Sequence, residues 1–253
     1  MNTLDFAKET AQKAGEIVNS FYGKAKSFNK DGAMNFVTDA DLAADKFIKT
    51  EITENFPSHQ ILSEEDKFHK MQKVPDLWVI DPLDGTTNFK FQIPFFSISI
   101  AYLKNGEVNV GAVYDPIHDE LFWAEKGKGA FLNGQQLKIE DKWNLDNSMI
   151  ALDGSYKLNG MKRKLEIWDK LDQHSATIRL LGSAVLTIAY IATQRINLYF
   201  SDFVFPWDIA ASSLIVQEAG GQVLDFDKKP FNLFTQGIIA GSPSLLSEFT
   251  KLL

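Results

Sequence analysis

Two carboxylates stand three residues apart in the stretch Asp81-Pro82-Leu83-Asp84-Gly85-Thr86-Thr87-Asn88-Phe89. The apolar run Leu77-Trp78-Val79-Ile80 before them reads as a buried strand. Pro82 and Gly85 then break regular structure, so both acids are expected to leave the strand end on a tight turn. Gly85 lets a ligand approach the backbone with no side chain in the way. Thr86 and Thr87 add hydroxyls and open a short helix, whose first amides favour an anion. Carboxylates for a hard cation beside donors for an anion suit a site for metal plus phosphate. A plain type I turn, Asp first and Pro second, accounts for Asp81 and Pro82 but not for Asp84 or the two hydroxyls.

Other acids fall at similar places. Ser63-Glu64-Glu65-Asp66 follows the short strand His59–Leu62. Such a run reads as a solvated loop, or as carboxylates facing Asp81 and Asp84 from a neighbouring strand end. Asp39, Asp41 and Asp45 open a helix running to Glu54, with Thr38 or Asp39 as its cap. They lack the glycine and closing Glu of a calcium loop, and dipole complementation explains at least one of them. Leu181-Gly182-Ser183-Ala184 opens another helix, where Ser183 is a cap or the free amides meet a substrate oxygen. Asp208, in Pro206-Trp207-Asp208, sits in the first turn of a third, where an acid suits the dipole.

These residues need a frame. The first half predicts an amphipathic helix over 3–22, capped by Thr3 and stopped by Gly23, then a polar exposed loop over 24–35 with an Asp31-Gly32 turn. Residues 95–125 read as meandering strands, with a hairpin at Asn105-Gly106 and further turns at Gly127, Gly129 and Asn133-Gly134. Two helices beside such strands describe an α+β half. The polar stretch 139–148 connects to a second lobe, which divides the chain into 1–140 and 141–253. There strands at 148–152, 176–180, 195–200 and 237–240 alternate with helices at 157–171, 182–192 and 206–219, which implies a parallel or mixed sheet.

Composition narrows the chemistry. The 253 residues are 45% hydrophobic and include 20 Phe, enough for a large core. A net charge of −7 argues against nucleic acid as a partner, yet allows a small anion wherever bound metal reverses the local sign. No cysteine is present, which removes thiolate nucleophiles and cysteine zinc sites. With no apolar run long enough to span a bilayer and no signal-like start, the expectation is a soluble cytoplasmic protein. His59, His69, His118 and His174 form no zinc-protease pair, and neither a Gly-x-Ser-x-Gly elbow nor a P-loop occurs. Oxygen-only ligands select Mg²⁺ or Mn²⁺.

Three separated segments, Glu64-Glu65, Asp81 to Phe89, and Trp207-Asp208-Ile209-Ala210-Ala211 closed by Glu218-Ala219-Gly220-Gly221, resemble the inositol monophosphatase family. Val37-Thr38-Asp39-Ala40-Asp41 and Gly111-Ala112-Val113-Tyr114-Asp115-Pro116 extend the likeness over nearly the whole chain. The resemblance implies an α+β, layered αβαβα sandwich of the sugar phosphatase type, a homodimer, and a Mg²⁺-dependent, lithium-sensitive phosphomonoesterase. Carried over by position, Glu64, Asp81, the Leu83 carbonyl, Asp84 and Asp208 would hold two or three Mg²⁺, with Mn²⁺ as an alternative. The amides of Gly85 and Thr86 would bind phosphate. A metal-activated water would attack phosphorus, helped by Thr86, Asp41 and Glu64. Arg179, Gly182, Ser183, Ala184, Asp84 and Asp208 would meet the rest of the substrate. The implied substrate is a small polyol or sugar phosphate, inositol 1-phosphate-like, with histidinol phosphate or fructose 1,6-bisphosphate as alternatives. Ser201 stands where inositol-preferring members carry a Glu, while Thr87 weighs against adenosine bisphosphate. A reading of another class is a regulatory interaction protein.

Overall fold

The computed structural model describes residues 2–29, 36–66, 74–153, 160–174 and 177–253. The expected Asp31-Gly32 turn and the first residues of the helix expected from Lys157 lie outside them.

The chain opens with helix α1 (Thr3–Phe21). Its cap is Asn2 rather than Thr3: Asn2 Oδ1 accepts from the Asp5 amide at 2.8 Å. Strand β1 (Ser27–Asn29) follows in what reads as a polar loop, because it pairs antiparallel with β2 (Phe36–Thr38). A three-residue strand is defined by its partner more than by its own residues. Helix α2 (Asp39–Asn55) begins on a reciprocal cap between Thr38 and Asp41. It buries Ala40, Ala44, Ile48 and Ile52, one per turn.

Strand β3 (Gln60–Ser63) runs parallel to β4 (Asp76–Asp84). Pro82 does not end β4. Asp81 pairs with Ser99 and Asp84 with Ser97, so Pro82 and Leu83 together oppose Ile98 in a β-bulge. A proline is tolerated there because the bulge has no ladder donor to lose. Helix α3 (Thr86–Lys90) starts after Gly85, whose φ of 91° is in the left-handed region. Strands β5 (Ser97–Lys104), β6 (Glu107–Asp115), β7 (Glu120–Glu125), β8 (Gly129–Leu132) and β9 (Gln135–Leu137) complete a meander in the order β3-β4-β5-β6-β7-β8-β9. Asn105-Gly106 and Asn133-Gly134 make its two-residue turns, all four residues at positive φ.

The second half runs β10 (Met149–Asp153), α4 (Gly160–Leu171), β11 (Thr177–Arg179), α5 (Ala184–Ala192), β12 (Leu198–Ser201), α6 (Pro206–Glu218), β13 (Gln222–Leu224), β14 (Ile238–Gly241) and α7 (Pro243–Phe249). Residues 195–197 precede β12 rather than belonging to it, and β13 and α7 are additional to the elements expected from sequence. The sheet is mixed, in the order β11-β10-β12-β14-β13, with β10 parallel to β11 and β12 and β14 antiparallel to β12 and β13.

Strand alternation sorts the side chains into layers. Trp78, Ile80, Ile98 and Ile100 face α1 and α2, while Val79, Ala101 and Val113 face α5 and α6. Ala151, Tyr199 and Ala240 meet α5 and α6 from the second sheet, whereas Ile150, Leu152, Phe200 and Ile239 face α4 and α7. The result is the αβαβα sandwich. Helix α6 buries Trp207 and every residue from Ile209 to Val216, as expected of a helix enclosed between two sheets. It approaches β6 closely at Gly111, where a Cβ would stand 2.7 Å from the Ala211 carbonyl oxygen. Among the described residues, no helix is long and apolar enough to cross a membrane.

Candidate active site

The β4 bulge and the first turn of α6 bring Asp81, Asp84 and Asp208 together. One carboxylate oxygen from each lies within 4.8 Å of the others. Asp81 is 1% exposed and Asp84 7%. Alternation on β4 sets Asp81 on the row of Leu77 and Val79, toward the middle layer. Asp208 also reaches back to accept the Phe205 amide at 2.7 Å, so it is a helix cap and a member of the cluster at once.

Asp84 is held from the far side of the cleft. Ser183 caps α5 and donates its hydroxyl to Asp84 Oδ2. The Val185 and Ala184 amides donate to Asp84 oxygens at 3.1 and 3.3 Å. The α5 amides expected to meet a substrate oxygen therefore bind this chain's own carboxylate. Gly182, at φ 78°, packs on the Asn88 amide, which donates to the Leu181 and Phe95 carbonyls at 2.7 and 2.8 Å. Gly85 is equally constrained, with room for a Cβ limited by the Phe95 carbonyl at 3.1 Å and Ser183 Cβ at 3.2 Å.

Glu64 extends the β3–β4 pairing through its amide to the Ile80 carbonyl at 3.2 Å, and its side chain hydrogen-bonds Asp81. Lys49 steadies the following loop by bridging Asp45 at 2.8 Å and Asp66 at 2.7 Å. Asp41 is fully buried and accepts the Thr38 amide at 2.8 Å, the Thr38 hydroxyl, and Thr86 Oγ1 at 2.9 Å. Thr86 Oγ1 also lies 3.0 Å from the Leu83 carbonyl. Asp41 is thus both the capping residue and the partner of Thr86.

Burial pushes these acids toward their neutral forms. Asp81 is raised well above the carboxylate range by burial and then by the charges of Glu64, Asp84 and Asp208. Asp208 is raised well above it by burial and then by Asp84. Burial also raises Asp84, against the Ser183 hydrogen bond, and takes Asp41 up to about 6 against its bonds to Thr38. Clustered carboxylates that destabilise one another are a donor set that could hold a metal ion.

Not every expected residue joins the group. Arg179 is exposed on β11 and donates to the Ile178 carbonyl at 2.9 Å. Ser201 is buried, its hydroxyl donating to the Phe203 carbonyl at 2.8 Å. Conversely, Asp153 at the end of β10 was not singled out by sequence, yet its charge acts on both Asp84 and Asp208. Only its inward place in the β10 alternation signals it. A separate groove of about 960 Å³, lined by Leu103, Val108, Leu214, Phe231 and Phe234 among others, contains none of the site residues.

The family model described as the inositol monophosphatase family matches residues 2–253. A Thermotoga maritima protein named fructose-1,6-bisphosphatase/inositol-1-monophosphatase is 36% identical over 100% of this chain and 96% of its own. The Nus factor SuhB of Escherichia coli (strain K12) is 38% identical over 96% of this chain and 92% of its own. The crystal structure of extragenic suppressor protein suhB from Bartonella henselae superposes with a TM-score of 0.91 at 33% identity, covering 98% of this chain and 96% of that one. The chain belongs to the inositol monophosphatase family.

Proposed function

We propose that this member of the family is a Mg²⁺-dependent phosphomonoesterase of small polyol or sugar phosphates, with inositol 1-phosphate or a close analogue as substrate. The observation that carries this is the cluster of buried Asp81 and Asp84 with half-buried Asp208, beside Gly85 and Thr86. Glu64, Asp81, the Leu83 carbonyl, Asp84 and Asp208 are assigned to two or three Mg²⁺, and the same oxygen donors accept Mn²⁺. Bound there, the metal supplies Lewis-acid charge to the phosphoryl oxygens and makes nearby water more acidic. The amides of Gly85 and Thr86 orient the phosphate. Thr86, fixed between Asp41 and the Leu83 carbonyl, aligns the attacking water, and Asp41 and Glu64 are the acceptors for its proton. Gly182, Ser183 and Ala184 shape the alcohol side beside Asp84 and Asp208, with Arg179 at its outer edge.

We assign the metal-bearing lobe to 1–140 and the completing lobe to 141–253, and place the enzyme in the cytoplasm as a homodimer. Inhibition by Li⁺ follows if Li⁺ displaces one of the cations. The name of the Thermotoga maritima relative keeps fructose 1,6-bisphosphate beside inositol 1-phosphate as a substrate, and histidinol phosphate remains an alternative. The SuhB relatives, named Nus factors, favour a second reading: a regulatory interaction protein.

Phosphate release from inositol 1-phosphate, fructose 1,6-bisphosphate and histidinol phosphate, with and without Mg²⁺, tests the assignment. Mg²⁺-dependent release that is lost in Asp84→Asn is expected. No release from any ester by a chain that still binds Mg²⁺ refutes it in favour of the interaction reading.

A further inference from the structure

Asp153 closes the inward-facing row of β10. Ile150 and Leu152 pack outward beneath α4 and α7, while Met149 and Ala151 pack inward on the middle layer. The period of two continues that inward row to Asp153. Its partner in register on β12 is Ser201, and Tyr199, one inward step earlier, pairs with Ala151. The same middle layer carries the start of α5, which holds Asp84, and the start of α6, which carries Asp208. Burial is the larger cause of the raised pKa of Asp84, Asp208 and Tyr199, and the Asp153 charge adds to each.

A second observation points into the same space. Tyr199 is 1% exposed, and its hydroxyl makes no hydrogen bond of good geometry. Ser201, whose hydroxyl donates to the Phe203 carbonyl, lies beside it as at most a weak partner. A buried phenol with no well-formed hydrogen bond favours the arrival of a polar group that can pair with it.

Asp153 does not belong to the trio of carboxylates whose oxygens converge within 4.8 Å. A further negative charge beside a phosphate dianion is unfavourable, so Asp153 suits the other end of the substrate. There the ester presents hydroxyl donors, and a half-buried carboxylate is a strong acceptor for them.

We propose that Asp153 recognises the alcohol part of the substrate, its carboxylate accepting hydrogen bonds from hydroxyls near the ester, with the Tyr199 hydroxyl as a second polar group in the same wall. This rests on the phosphomonoesterase reading and narrows it to esters that carry a free hydroxyl close to the phosphorylated carbon.

The test compares inositol 1-phosphate with p-nitrophenyl phosphate, which has no such hydroxyl, in wild type, Asp153→Ala and the isosteric Asp153→Asn. Losing a hydrogen bond to a charged group lowers the ratio of kcat/KM for the two esters by about 10–100-fold in Asp153→Ala. The loss falls mainly on KM for inositol 1-phosphate, while any change in Mg²⁺ dependence from removing a charge near Asp84 and Asp208 is the same for both esters. Asp153→Asn falls between and carries the test if the alanine variant does not fold. An equal loss on both esters overturns the proposal and makes Asp153 part of the metal centre. A wild-type ratio in both variants overturns it too. A wild-type chain that hydrolyses neither ester refutes the phosphatase reading itself.

Discussion

Replacing Asp81 by Asn is expected to stabilise the metal-free chain. Asp81 has an ordinary value of 3.8 but is raised well above it in the fold, by burial and then by Glu64, Asp84 and Asp208. Between 3.8 and a working pH of about 7.5, each pH step costs about 1.36 kcal/mol, which sets a ceiling of about 5 kcal/mol. Asn has the shape of the neutral acid. Its oxygen can still accept the Leu83 amide, which lies 3.1 Å from Asp81 Oδ1, and its amide can donate to Glu64. Allowing for relaxation and entering water, about half the ceiling remains, or ~2–3 kcal/mol. In a chain of this length that is about 5–10 °C in Tm. The sign of the pH dependence is fixed. A carboxyl raised in the fold holds more protons there than in the unfolded chain, so its penalty is absent below about 3.8 and grows as pH rises. The gap between variant and wild type should therefore close toward about pH 4. Mg²⁺ closes the gap: at about 100 times its Kd it adds ~2.7 kcal/mol to wild type, about the variant's own advantage, and the variant loses most of that gain with its ligand. Calorimetry in EDTA and in excess Mg²⁺, across pH, reads all three effects. A variant that melts below wild type in EDTA at about pH 7.5, with a gap independent of pH, refutes the reasoning.

Two further substitutions probe other parts of the site. Thr86→Ala removes the hydroxyl between Asp41 and the Leu83 carbonyl and should lower kcat about 100-fold or more, for about 1 kcal/mol of stability; near-normal steady-state turnover would take Thr86 out of the chemistry. Gly111→Ala drives a Cβ into the Ala211 backbone, whose carbonyl oxygen and Cα would lie 2.7 and 2.9 Å away. Since neither strand nor helix can yield easily, about 1–3 kcal/mol is lost and Mg²⁺ binding weakens as α6 shifts Asp208; a wild-type denaturation midpoint contradicts this.

The densest part of the site was the most legible. Asp81 to Phe89 concentrates acids, a glycine and hydroxyls in one stretch, so its chemistry shows without a partner. The bulge does not, because Pro82 reads as a breaker and only pairing with Ser97 and Ser99 reveals a continuing strand. Asp41 and Asp208 both read as helix caps, and both are, yet their second partners come from elements far away in sequence. Ser183 reads as a cap or as a substrate contact; it is the cap of α5, and its hydroxyl also donates to Asp84, a partner neither description includes. Asp153 lies next to no motif and becomes visible only through the register of β10 with β12. The order of strands and helices gave an α+β half and a mixed or parallel sheet, while the αβαβα layering came from the family resemblance. Short elements such as β1, β13 and α7 depend on packing for their existence and left little local trace.

The placement of β14 bears on when, during synthesis, the protein acquires its chemistry. Asp81 and Asp84 are made early, but Asp84 needs α5 and Asp208 needs α6, and those helices are enclosed only when the second sheet closes over them. That sheet lacks its link between β12 and β13 until residues 238–241 have been translated. A nascent chain therefore carries most of its acidic ligands for much of its time on the ribosome without an assembled centre. Under the proposed function, translation order withholds cation capture and ester hydrolysis from unfinished chains, and metal binding would double as a report that the last strand is in place.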